Sequence, residues 1–470
     1  MAKFVDRIRE RQVLDDAWAS GRPELIVVSG RRRVGKSALL ARFARELPIA
    51  YYVAAQQLER DQLSDLGRAL GPLSTAFRPG RPPRLAFADW EELLEVVVDA
   101  SRTRRIGLIL DEFPYLAEAT PALPSVIQRW WDSRGSQSNL VLILAGSQQA
   151  MMQRLVSSAG SLYGRPTREL QVSPFDYYYA AQFAPSWSRE DRIRLYAAAG
   201  GIPDYLEEFN PTQSLRHELG RLAFSPAGRL FREAADLVRS EFNEPRTYES
   251  ILRAVAQGAV TPSEIADRAG IGGANRVAPY LERLQGLGLV ERRTPPQQSN
   301  VPRPRTSQYV IADHYLRFYY ALVDPWRSAI QLGQGEAVLD ELWDATFDAF
   351  VSRAFEDACR QYLKRLSGAG QVPPLSSVGF WWYPGGDLDV AGMSGRHLRV
   401  AGSAKWTREF VKPGDLDDLR RGVGVVAPGS RPTLMLFARS GFDRNLARDV
   451  QVRLVTLSDM FRRDLEYERV

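Results

Sequence analysis

Five short apolar runs mark the first third of the chain: Leu25–Ser29, Ile49–Val53, Ile106–Leu110, Leu140–Ala145 and Glu169–Val172. The first four are nearly continuous rather than alternating, as in strands buried on both faces of a parallel sheet. Amphipathic helical stretches separate them, so residues 1–173 are predicted to form a doubly wound α/β sheet. From 174 to 244 no strand pattern occurs. Tyr177–Phe183, Arg189–Ala199 and Gln213–Ala223 have helical spacing and predict a helical subdomain.

Two further changes of pattern follow. Tyr248–Gln257 reads as a helix, and Thr261-Pro262-Ser263-Glu264 opens another with a cap, a first-turn proline and a capping-box glutamate. Gly270 stops it. A third helix, Ala274–Leu287, places Val277, Tyr280, Leu281, Leu284 and Leu287 on one face, and a strand pair closing on Gln308–Ile311 follows. Three helices and a hairpin over 245–325 predict a winged helix-turn-helix. Over 326–470 the order is a helix (Ala345–Leu363), three strands (Val378–Trp382, Asp387–Ala391, Leu398–Trp406), a helix near Leu416–Gly422 and a strand (Thr433–Phe437). The Pro- or Gly-rich stretches Arg78–Arg84, Pro295–Arg305 and Ser367–Ser377 read as loops.

Candidate chemistry begins where the first strand runs into Gly30-Arg31-Arg32-Arg33-Val34-Gly35-Lys36-Ser37 and then a helix from Ala38. Glycines at 30 and 35 let successive N–H groups, through Arg33 and Val34, turn inward on phosphates, and the helix adds its positive end. Lys36 is expected on the β- and γ-phosphates of ATP, and the Ser37 hydroxyl on Mg2+. The run Ile106–Leu110 ends in Asp111 and Glu112. These suit, in turn, holding Mg2+ and polarising an attacking water. Ser147, after the fourth run, has two open roles: sensing the γ-phosphate or capping a helix.

Composition narrows the remainder. The chain has 470 residues, 44% of them hydrophobic, enough for several cores. One cysteine (Cys359) and three histidines (His217, His314, His397) exclude an internal disulfide and the usual zinc site. No stretch approaches the ~20 apolar residues of a membrane span, and the first residues do not form a signal peptide, so a cytoplasmic protein is expected. A net charge of +6, with only five lysines among 62 basic residues, is a weak pointer to nucleic acid.

Phe4-Val5-Asp6-Arg7 with Glu10, the phosphate loop, Leu110–Pro114, Ala145–Ser147, Leu162-Tyr163-Gly164-Arg165 and Gly200–Leu206 occur in that order. Together they resemble the archaeal-type P-loop ATPases, a branch near the AAA+ and STAND groups that also occurs in bacteria. The resemblance implies that Phe4, Val5 and Arg7 bracket the adenine and that the Gly200–Pro203 turn closes over the nucleotide from the helical lid. It makes Arg165 a candidate arginine finger, with an ordinary salt bridge as the alternative. It also implies a restriction-endonuclease-like C-terminal domain of the PD-(D/E)xK type, with Glu356, Asp389 and Lys405 at the matching positions. Ser403 stands where that pattern has a second metal carboxylate. Unless Asp387 or Glu356 compensates, the domain is expected to bind without cutting.

From Arg246 to Ile311 there are nine arginines against five acids. Arg276, Arg283, Arg292, Arg293, Arg303 and Arg305 fall where a winged helix would meet double-stranded DNA, although such modules also serve as protein contacts or in homo-oligomers. Three functions therefore stand side by side. The first is a Mg2+-dependent ATPase switch coupled to DNA or partner binding. The others are an ATP-gated nuclease of defence or repair and a protein-contact assembly module.

Overall fold

The computed structural model describes residues 5, 7–71, 73, 87–294, 307–449 and 451–462. The chain divides into two compact units, Met1–Pro174 and Phe175–Val470. Phe4, Arg303, Arg305 and the whole of the loops 78–84 and 295–305 lie outside the described residues.

In the first unit five strands form one parallel sheet: β1 (Glu24–Ser29), β2 (Ile49–Val53), β3 (Ile106–Asp111), β4 (Leu140–Gly146) and β5 (Arg168–Gln171). Their order is β2-β3-β4-β1-β5. Every residue of β3 and β4 is buried, which accounts for the unbroken apolar runs. One face of the sheet, with Leu25, Val27, Leu108, Leu110, Leu142 and Leu144, joins a core that includes Trp90, Trp130 and Trp131. The strand order leaves β1 and β3 separated by β4, so the loops leaving their carboxyl ends flank one crevice.

The second unit opens with helices Arg189–Ala199, Leu215–Leu222 and Arg229–Glu241. The expected helix Tyr177–Phe183 is a four-residue turn, Tyr177–Ala180, continued as 3-10 helix. Helices Pro245–Ala256, Pro262–Arg268 and Ala274–Gly286 precede an antiparallel pair, β6 (Val290–Arg293) and β7 (Gln308–Ile311). The Thr261 hydroxyl accepts from Glu264 N–H, and Glu264 accepts from Thr261 N–H, as the capping box requires. A 24-residue helix, Ala345–Gly368, then leads to β8 (Ser377–Tyr383), β9 (Gly386–Ser394) and β10 (His397–Lys405). After helix Pro413–Val426 come β11 (Thr433–Ala438) and β12 (Val452–Thr456). The sheet order is β12-β11-β10-β9-β8, with β8, β9 and β10 antiparallel and β10, β11 and β12 parallel. β12 is absent from the sequence expectation because Val452–Thr456 is short and only two of its residues are buried. Among the described residues no helix is long and apolar enough to cross a membrane.

Candidate nucleotide site

β1 delivers the chain to Gly30, where no side chain fits: a Cβ would lie 2.4 Å from the Val172 carbonyl oxygen. Arg33 and Gly35 have φ of 71° and 93°, so the loop turns through the left-handed region before helix Lys36–Ala44 begins. Lys36 is buried, and its ammonium donates to Gly30 O at 2.8 Å and Arg31 O at 3.1 Å. Val34 is buried while Ser37 and Ala38 are exposed at the helix start. These are the features of an anion cradle: a tight loop that only glycine can close, a cation folded across it and a helix N-terminus.

Arg7, expected to help bracket the adenine, lies against the phosphate loop. Its guanidinium donates to Val34 O at 2.7 Å and to Ser173 O at 2.8 Å, and pairs with Glu10 at 2.8 Å. It fastens the loop to the segment leaving β5, and Val5, two residues before it, is buried.

Asp111 ends β3 and is fully buried. One carboxylate oxygen accepts Glu112 N–H at 2.9 Å, and the other accepts the Tyr51 hydroxyl at 2.7 Å. Glu112 takes a left-handed φ of 53°, and its carboxylate accepts the Ser147 hydroxyl at 2.8 Å. The helix Gln149–Val156 has no side-chain cap, so the Ser147 hydroxyl is spent on Glu112. Ser37 and Asp111 are oxygen donors of the kind Mg2+ takes, and the Tyr51 hydroxyl, 3.4 Å from Ser37 O, touches both residues. The residues present fit a nucleotide with its metal.

Arg165 is paired with Asp132, at 2.9 Å and 3.0 Å through two nitrogens, and donates to Tyr163 O at 2.8 Å. In the second unit Gly200 ends helix Arg189–Ala199 at φ 64°, and Pro203 opens a short helix. A Cβ on Gly201 would lie 1.8 Å from the Phe175 carbonyl oxygen, so this turn is a close backbone approach as well as a helix stop.

The acids of the C-terminal sheet are arranged otherwise. Asp389 accepts the Ser403 hydroxyl at 3.1 Å and Ala404 N–H at 2.8 Å. Burial, and after it the Asp389 charge, pushes the Glu356 carboxyl up to about 7, and Asp387 is raised for the same reasons. Lys405 lies 3.5 Å from Asp415, and Arg360 donates to Asp389 O. Among the described residues no group of three or more acids, histidines or cysteines is placed to hold a metal ion. Arg276, Arg283 and Arg292 are exposed, whereas Arg293 is engaged by Asp357 at 3.2 Å and by Glu291.

Tyr51, Asp132, Ser173 and Asp357 are the partners that sequence reasoning missed. Tyr51 had one usable signal, a polar aromatic near the carboxyl end of a strand, but only the β2-β3 neighbourhood gives it meaning.

The sheet order, the loop and the acids ending β3 define a P-loop NTPase. A sequence profile described as an ATPase domain predominantly from Archaea matches residues 4–209, and one described as archaeal and bacterial proteins of unknown function matches 319–414. An uncharacterized protein of Methanocaldococcus jannaschii is 30% identical over 397 residues, 83% of this chain and 84% of the relative. The chain belongs to this archaeal-type P-loop ATPase family. The Walker-type ATPase PABY2304 of Pyrococcus abyssi is similar in structure, with a TM-score of 0.51 and 21% identity, covering 67% of this chain and 96% of that one. The ORC2 protein of Aeropyrum pernix, in its ADPNP-ADP complexes, has a TM-score of 0.44 and 15% identity, with 70% and 95% covered.

Proposed function

We propose that the protein is a Mg2+-dependent ATPase that acts as a switch, its nucleotide state coupled to the binding of double-stranded DNA by the helical and ribbon segment of the second unit. The observation that carries the nucleotide reading is the buried Lys36 ammonium folded across a loop that only glycine can close. In this reading Lys36 leaves the carbonyls of Gly30 and Arg31 for the terminal phosphates. Ser37 and Asp111 hold Mg2+, which when bound offsets phosphate charge. Glu112 orients and polarises the attacking water, and Ser147 holds that carboxylate until substrate is present. Arg165 acts as a finger only after leaving Asp132.

The DNA arm rests on the exposed Arg276 and Arg283, two helical turns apart on one helix. The C-terminal sheet is read as a binder that does not cut, because Ser403 stands where the nuclease pattern has its second metal carboxylate. The experiment is a titration of double-stranded DNA against the protein without nucleotide, with ADP and with a non-hydrolysable ATP analogue, beside Lys36→Ala. The wild-type affinity for DNA is expected to change with the nucleotide. Lys36→Ala is expected to lose nucleotide binding by about 100-fold or more and with it the change. Full calorimetric affinity in Lys36→Ala would overturn the nucleotide site, and DNA affinity indifferent to nucleotide would overturn the coupling.

A further inference from the structure

The edge strand β2 carries a residue that the nucleotide reading does not use. Tyr51 pairs in register with Ile109, so it lies beside β3 two positions short of Asp111. Its hydroxyl reaches Asp111 at 2.7 Å and stands 3.4 Å from the carbonyl oxygen of Ser37. The phenol therefore bridges the strand that carries the candidate metal carboxylate and the helix that carries the candidate metal hydroxyl.

Two features make this more than packing. Asp111 is fully buried, and a buried carboxylate needs its oxygens satisfied to stay in one orientation. The Glu112 N–H holds one oxygen and Tyr51 the other, which leaves further lone pairs on each for a cation or its water.

Resting on the nucleotide reading above, we infer that Tyr51 is a positioning residue for the metal-binding carboxylate: its hydroxyl holds Asp111 in the orientation that takes Mg2+. Phenylalanine would fill the same space and leave Asp111 free to turn. The cost falls on the metal-dependent part of nucleotide affinity, because the close contact at 2.7 Å is to the metal carboxylate, whereas the Ser37 carbonyl oxygen stands 3.4 Å away.

The test is calorimetric titration of the full chain with ADP, once with excess Mg2+ and once in EDTA. In the wild type Mg2+ is expected to strengthen binding. In Tyr51→Phe that gain is expected to shrink about tenfold, the scale of a hydrogen bond to a charged group, with affinity in EDTA changed by about twofold or less. Asp111→Asn closes the cycle: added to it, Tyr51→Phe should take nothing more from the Mg2+ gain, since the phenol affects the metal only through the carboxylate. A full Mg2+ gain in Tyr51→Phe, an equal loss in EDTA, or an undiminished effect in the Asp111→Asn background would each overturn the inference. If Tyr51→Phe does not fold, as read by circular dichroism, the tyrosine supports the fold and the inference is likewise overturned. Wild-type protein that binds no ADP, or binds it without a Mg2+ gain, would instead overturn the nucleotide reading itself, before any variant is made.

Discussion

Two strand-borne aspartates, one in each unit, are held by the same kind of contacts in opposite chemical company. Asp111 accepts a phenol hydroxyl at 2.7 Å and a backbone N–H at 2.9 Å, while Asp389 accepts a serine hydroxyl at 3.1 Å and a backbone N–H at 2.8 Å. Around Asp111 stand a phosphate-type loop, a buried lysine and a glutamate held by Ser147. Around Asp389 the lysine leans to Asp415, and the neighbouring glutamate is pushed toward its neutral form. Hydrogen bonds to a carboxylate thus do not mark it as reactive or inert. The groups that would share a metal or a phosphate with it decide that.

The comparison is tested most severely at the glutamate beside each aspartate. Glu112→Gln is expected to keep nucleotide affinity in calorimetry and to slow phosphate release by ~100-fold, the usual scale for losing a general base. Turnover at the wild-type rate would place the water-polarising group elsewhere.

Glu356 offers a smaller effect with a defined sign. Its folded-state value of about 7 lies above the ordinary carboxylate range, so the folded protein holds the proton more tightly than the unfolded chain. The stability it contributes is complete below the ordinary range and is lost as pH rises through about 7. Glu356→Gln should therefore melt a few degrees above the wild type at about pH 8, and closer to it at about pH 5. A difference independent of pH would mean that Glu356 is ionised in the folded protein throughout.

The smallest expected effect is none. Purified protein with Mg2+ or Mn2+ should give no DNA cleavage that Asp389→Ala removes, measured as nicking of a supercoiled plasmid. Cleavage abolished by that substitution would make the second aspartate as active as the first and bring the ATP-gated nuclease forward.

What was legible in the sequence was local. The loop from Gly30 to Ser37 and the acids ending β3 combine a spacing with an apolar strand, and both can be read within a dozen residues. The capping box at Thr261 is equally local. The partners that set these groups in place are not local. Tyr51 is 60 residues from Asp111, Arg7 is 166 from Ser173, and Arg293 is 64 from Asp357. Strand order and side-chain direction create those pairs, and neither is written in periodicity. The same limit holds for Arg165 and Arg293, whose partner carboxylates, Asp132 and Asp357, stand 33 and 64 residues away in the chain.

The Arg7 clamp bears on the order in which the molecule is made. The phosphate loop is synthesised before four of the five strands of its sheet, yet its fastening to Ser173 O lies at the far end of the first unit. β1, which delivers the chain to that loop, has its two partners in β4 and β5, the last strands of the sheet to be made. Contacts of such long sequence separation carry the largest loop-closure cost and form late. A nascent chain halted before β5 would therefore contain the whole nucleotide-binding motif without its Arg7–Ser173 clasp, and the loop would be set only when the unit closes.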